Sequence, residues 1–124
     1  MTNNSITNLI KELMKLASDK KGENICCYDL TDKGWISEYI LVIGAKNTIH
    51  CKALLEEVSL KYKKILKNKS SSDFYDIPKV NGKSESGWVI LDLNSVICHF
   101  ITNDCREFYD IDRHLKDKTQ IILH

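Results

Sequence analysis

The residues able to do chemistry in this chain are its thiols, imidazoles and carboxylates, and their spacing decides which chemistry is open to them. Cysteines stand at Cys26, Cys27, Cys51, Cys98 and Cys105, and histidines at His50, His99 and His114 in reach of them. A structural zinc site wants four well-spaced ligands, whereas His50-Cys51 and Cys98-His99 are adjacent pairs on apolar stretches, with Cys105 and His114 isolated. A Cys-His hydrolase would draw on Cys51 or Cys98 with His50 or His99, a pairing supported only by residue type. Buried cysteine acting as a small hydrophobe is the simpler reading of all five.

Phosphate chemistry would use a glycine-rich turn at a strand-to-helix junction, and Gly44-Ala45-Lys46-Asn47-Thr48 lies at one. It carries a single glycine and matches neither the P-loop nor the dinucleotide fingerprint, so it reads as a helix-capping turn. Two-metal transfer needs paired acids, but Asp92 is followed by Leu93 and Asn94. Asp110 and Asp112 form an acid-x-acid pair that would diverge by about 200° on a helix. The expectation is therefore a protein with no metal, no cofactor and no catalytic step, one that works by contact.

Composition bounds the kind of contact. At 124 residues with 43% hydrophobic and 28% charged side chains, the chain is one globular domain spanning 1–124, with a core of about 7–116 and a tail of 117–124. A formal net charge of +1 gives no global field for holding a nucleic-acid backbone, so the footprint of a direct DNA or RNA binder is missing. The local run Lys61, Lys63, Lys64, Lys67 and Lys69 reads as a solvated helix end. An odd number of cysteines without Cys-x-x-Cys spacing indicates reduced thiols. With no signal-peptide pattern at Met1 to Ile10 and no apolar run longer than Ile40 to Ile43, the expected location is the cytoplasm and a membrane span is excluded.

Periodicity supplies the elements that must position these residues. Ile6, Leu9, Ile10, Leu13, Met14 and Ala17 mark an amphipathic helix over Thr7 to Lys20, closed by Gly22. Two strands follow, at Ile25 to Tyr28 and Tyr39 to Ile43. Cys51, Leu54, Leu55, Val58, Tyr62, Ile65 and Leu66 mark a second helix from Thr48 to Leu66. Phe74 to Ile77 reads as a short edge strand before Pro78, and Val80 to Gly87 as a polar loop. Trp88 to Leu93 and Val96 to Ile101 flank Asn94-Ser95 as a β-hairpin. Asp104 and Glu107 form an expected capping box for a last helix, with Phe108, Ile111 and Leu115 as its buried stripe. The apolar tail Ile121-Ile122-Leu123 docks or frays.

Three stretches carry a family resemblance. Trp88-Val-Ile-Leu-Asp92, Val96-Ile-Cys-His99-Phe100 and Arg106-Glu-Phe-Tyr109-Asp-Ile-Asp112 resemble the C-terminal signature of the Iojap family, the ribosomal silencing factors. Upstream, Asn24 to Leu30, Ile36-Ser37-Glu38-Tyr39, and His50 with Ala53 are similar too, so the resemblance runs from about Leu9 to Lys116. The chain departs from the family at Ser37-Glu38 (usually Thr-Asp), Ala45 (Gly), Asn94-Ser95 (Gly-Asp) and His114-Leu115 (Leu-Trp).

The resemblance implies an α/β fold with a mixed sheet of about five strands, flanking helices and nucleotidyltransferase-like topology. It implies a homodimer that binds the large ribosomal subunit through ribosomal protein fourteen, blocks joining of the small subunit and represses translation when nutrients are short. It also implies that Trp88, Asp92 and Leu93 face the ribosomal protein, with Glu38, Ser95, His99, Arg106 and Tyr109 as further contacts. Strand alternation puts Trp88 and Asp92 on one face and Leu93 on the other, so the resemblance requires Leu93 to reach the partner from the turn. The rival reading is a nucleotidyltransferase-like enzyme, or an interaction module that works away from the ribosome.

Overall fold

The computed structural model describes residues 3–30, 39–67, 78–110, 113 and 119–121. In chain order they form α1 (Asn3–Asp19), β1 (Glu23–Asp29), β2 (Tyr39–Ala45), α2 (Thr48–Lys67), β3 (Lys79–Lys83), a 3-10 turn (Ser84–Ser86), β4 (Trp88–Asp92), β5 (Val96–Thr102), α3 (Asn103–Tyr109) and β6 (Thr119–Ile121). The strands make one mixed sheet in the order β3-β4-β5-β2-β1-β6. Only the central pair, β2 and β5, is parallel, running in register from Tyr39 opposite Val96 to Ala45 opposite Thr102.

α1 and α2 pack together over one face of this sheet. Ile10, Leu13 and Ala17 from α1 and Cys51, Leu54 and Val58 from α2 meet Leu41, Ile43, Leu91, Cys98 and Phe100 in a single buried cluster. The opposite face holds a smaller cluster, Tyr28, Leu30, Ile40, Val42 and Ile101, with Cys26, Trp88 and Cys105 at its margin. β2 is buried along its whole length, because helices cover one side of it and the smaller cluster covers the other.

Two close approaches define the ends of the sheet. β1 carries a bulge between Glu23 and Cys26, with Asn24 at φ 47°. The carbonyl of Glu23 swings toward β2, and a Cβ on Gly44 would lie 2.5 Å from its oxygen. Gly87 sits at φ 88°, where a Cβ would meet Cys105 Sγ at 2.8 Å and Thr102 Oγ1 at 3.0 Å.

Several expected elements are placed differently. α1 begins a turn before Thr7 and ends in a Schellman arrangement, with Gly22 N–H on Ala17 O at 2.7 Å and Lys21 N–H on Ser18 O at 3.0 Å. The left-handed position falls on Lys21, at φ 71°, and not on Gly22. Residues 74–77, read as an edge strand, lie outside the described residues. The strand found here is Lys79–Lys83, which takes up the start of the Val80 to Gly87 stretch read as loop and is paired from Lys79 opposite Asp92 to Lys83 opposite Trp88. All five of its residues are exposed, so it lacks the apolar alternation that marks a strand. The sheet has six strands because part of the tail docks, Ile121 pairing with Cys27. The final helix is capped by Thr102, whose hydroxyl accepts from Cys105 N–H, and not by the Asp104–Glu107 box. Phe108, expected in its buried stripe, is 77% exposed, and Ile111 and Leu115 lie outside the described residues.

Two substitutions test this backbone. Lys21→Gly is expected to raise unfolding stability in urea by about 1 kcal/mol, since glycine takes the left-handed position without penalty. Gly44→Ala is expected to lower it by about 2 kcal/mol, because the obstacle is a backbone carbonyl and not a side chain that can turn away.

Candidate functional site

The β4–β5 hairpin puts alternate residues on opposite faces, and that alternation sorts the candidate residues. Val89, Leu91, Val96, Cys98 and Phe100 face the helices and are buried. Trp88, Ile90, Asp92, Ile97 and His99 face the other way and are half-buried. On that side the described helix is α3, which brings Phe108 and Tyr109 beside Trp88.

Trp88 is held from two sides. Its indole Nε1–H donates to His99 Nδ1 at 3.1 Å, across a diagonal of the hairpin. Tyr109 packs on it with ring centroids 5.1 Å apart, and Phe108 meets Tyr109 edge-on at 4.9 Å. Asn81, Gly82, Ser86, Trp88, Ile90 and Tyr109 line a groove of about 280 Å³ beside the indole, large enough to admit one partner side chain. Because Nδ1 accepts, His99 is the neutral tautomer with its proton on Nε2. Burial pushes its pKa down to about 4.

The hairpin turn carries the next candidates. Asn94, at φ 73°, stands where the family usually has glycine, and Ser95 N–H closes onto Leu93 O at 3.0 Å. Asp92 Oδ1 accepts from Asn94 N–H at 2.8 Å, so this carboxylate braces the turn while its strand position faces the side of α3. Ser95 is half-buried, and its carbonyl accepts from Tyr39 N–H at 3.0 Å.

Two expected contact residues are interior. Leu93 is 4% exposed in the helix-side cluster, with its N–H on Val96 O at 2.9 Å, so strand alternation persists into the turn and keeps it from reaching out. Arg106 is 7% exposed; its Nη1 donates to Asn24 O at 2.8 Å and its Nη2 lies 3.7 Å from Cys26 Sγ, which ties α3 to the β1 bulge. Glu38 lies outside the described residues. Tyr109 is 49% exposed and packs on Trp88.

The groups weighed for catalysis are dispersed. Cys51 Sγ–H donates to Phe100 O at 3.2 Å inside the core. Burial raises the thiols of Cys27 to about 12 and Cys51 to about 11, and pushes Cys98 up as well, so all three stay protonated and poorly nucleophilic near neutral pH. His50 is a strut: its Nδ1 accepts from Lys46 N–H at 3.0 Å and its Nε2 donates to Lys20 O at 2.9 Å, joining the end of α1 to the start of α2. Asn47 Oδ1 caps α2 through His50 N–H at 2.8 Å. Among the described residues no three His, Cys, Asp or Glu side chains are grouped to hold a metal ion, and no helix is long and apolar enough to cross a membrane.

Phe108 and Ile90 were absent from the residues expected at this face. The Trp88–His99 pair was within reach of counting: a two-residue turn at Asn94-Ser95 sets Ile90 opposite His99 and Trp88 opposite Ile101, which makes Trp88 and His99 diagonal neighbours on one face.

The family model described as "Ribosomal silencing factor during starvation" matches residues 3–124. The chain is 23% identical over 107 residues to the ribosomal silencing factor of Bacillus subtilis, covering 83% of this chain and 84% of that one. It is 24% identical over 104 residues to the mouse protein named "Mitochondrial assembly of ribosomal large subunit protein 1", covering 84% of this chain and 43% of that one. A crystal structure of a Chromobacterium violaceum protein superposes with a TM-score of 0.72 at 26% identity, covering 94% of this chain and 88% of its own. One from Bacillus halodurans superposes with a TM-score of 0.68 at 19% identity, covering 98% and 100%.

The depressed His99 pKa makes a prediction with a definite sign. The unfolded imidazole, with a pKa near 6.5, takes up a proton that the folded one refuses until about 4. Its contribution is complete above pH 6.5 and is lost as pH falls toward 4. Urea unfolding should show wild type losing roughly 2–3 kcal/mol more over this interval than His99→Gln does.

Proposed function

The chain belongs to the family of ribosomal silencing factors, and we propose that it docks through its open sheet face on ribosomal protein fourteen of the large subunit, so that the small subunit cannot join. The observation that carries this reading is Trp88, held half-exposed between His99 and Tyr109 beside a groove. A large aromatic already locked in one orientation loses little freedom on binding, and such residues dominate interface energetics. The mouse relative is named for the large ribosomal subunit, which supports the same subunit as the partner here.

The mechanism is steric and has no chemical step. A domain of 14.3 kDa seated on the joining face occupies space that the other subunit needs. Translation is repressed in proportion to occupancy, which suits a response to nutrient shortage in the cytoplasm. Trp88, Tyr109 and Phe108 supply the apolar contact and Asp92 sits at its rim. His99 acts through Trp88 by fixing the indole. Leu93 and Arg106 support the face from inside.

Two outcomes separate contact residues from supporting ones. Trp88→Ala is expected to weaken cosedimentation with large subunits about thirtyfold, or about 2 kcal/mol, with its circular dichroism unchanged. Leu93→Ala is expected instead to cost about 2–5 kcal/mol of stability, read by urea unfolding. Retention of wild-type subunit binding by a folded Trp88→Ala would refute the assigned face.

The same aromatic surface, with Phe108 77% exposed, suits self-association when no ribosome is present, so we propose that the isolated chain is a homodimer closed by this face. Sedimentation at tens of micromolar should report about twice 14.3 kDa, and Phe108→Ser should shift the population toward monomer.

A further inference from the structure

The net charge of +1 hides a lopsided distribution along α2. This helix carries Lys52, Lys61, Lys63, Lys64 and Lys67 against Glu56 and Glu57. Both acids lie before Lys61, and Glu57 is engaged by Lys20 from the end of α1 at 3.8 Å. From Lys61 to the end of the helix there is no acid, and the ion pairs among the described residues involve none of these four lysines.

Helix geometry gathers three of them. Leu54, Val58 and Tyr62 are buried and define the inner face. At 100° per residue, Lys63, Lys64 and Lys67 fall within an arc of about 100° on the opposite side, with Lys61 at its flank. All three are exposed. The helix dipole accounts for cations in the last turn, Lys64 and Lys67, but its effect fades within that turn and gives no reason for Lys61 and Lys63. Because α2 covers the helix side of the sheet, this stripe points away from the face that carries Trp88.

We propose that the outer face of the C-terminal half of α2, Lys61 to Lys67, binds the phosphate backbone of an RNA helix. The choice of RNA over another polyanion rests on the ribosomal reading above; the cationic stripe itself does not. Four ammonium groups with no acid on their own stretch of α2 suit a polyphosphate, and Lys as a compact point charge suits recognition of backbone and not of sequence. The chain would then be two-sided, with protein on the open sheet face and RNA on the helical layer.

The test is fluorescence anisotropy of the full chain with a labelled RNA duplex of about 20 base pairs and arbitrary sequence. Micromolar binding is expected at 50 mM salt, weakening about a hundredfold by 200 mM, as four phosphate contacts require. The triple variant K63E/K64E/K67E should bind at least tenfold more weakly, with the salt slope reduced by about 3, while the control K11E/K15E on α1 should bind as wild type does. K63Q/K64Q/K67Q, which keeps good helix formers, carries the same test if charge reversal loosens the helix. Equal RNA binding by the triple variant and wild type, or no binding at 50 mM salt, overturns the proposal. So does tighter binding to an acidic polypeptide of matched charge, which would assign the stripe to a protein. Trp88→Ala should keep full RNA affinity, so failure here and failure of sheet-face docking are told apart.

Discussion

The parallel pairing of β2 with β5 is the constraint on which the rest of the structure depends. Parallel neighbours cannot be joined by a tight turn, so the chain between them must leave the sheet and return, and it does so through α2, β3 and β4. That excursion lays α2 beside α1 on one face and brings β4 back as a hairpin against β5. Both long helices are committed to the same side. Among the described residues, the other side carries the small cluster around Val42 and Ile101 and α3, seven residues long. Trp88 faces the side of α3 because the hairpin turn at Asn94-Ser95 sets its parity.

An exposed aromatic on such a face would be a hazard if it were loose. Here its one polar atom is satisfied by His99 and its rings are packed by Tyr109, so the surface is apolar yet ordered. The arrangement uses a histidine for its acceptor nitrogen and not for its proton chemistry; burial keeps that nitrogen free to accept. At the sheet margin the strategy is different. β3 carries Lys79 and Lys83 with Gly82 at φ 88°, all exposed, which discourages another strand from adding to this edge.

What could be read in the sequence follows from how strongly each element is patterned. The stripe of α1, the stripe of α2 and the alternation around Asn94-Ser95 report burial directly, and the structure places all three within a few residues of expectation. β3 was invisible because an edge strand with five exposed residues has no apolar face to betray it. β6 was ambiguous because three residues cannot show a period. At the site, residue type and place in the hairpin single out Trp88 and the family resemblance alone names Tyr109, whereas Leu93 and Arg106, both expected as contacts, are interior for different reasons. Leu93 was granted freedom by a turn that does not release it. Arg106, a contact only by the resemblance, is buried because the β1 bulge offers it the carbonyl of Asn24.

The departures from the family pattern bear on how this face is held and not on whether it exists. Where glycine is usual, Asn94 adopts φ 73° and ties its N–H to Asp92, so a residue with a side chain takes over a left-handed position without disturbing the register of the hairpin. The strand acid braces the turn, which makes the missing second acid at Ser95 a loss from the rim and not from the scaffold. The aromatic trio rests on backbone geometry at Gly87 and on the buried arginine that ties α3 to β1. Packing and hydrogen bonding hold the aromatic surface in one arrangement: the indole is fixed by His99, its ring by Tyr109, and α3 by the Arg106 contact with Asn24 O.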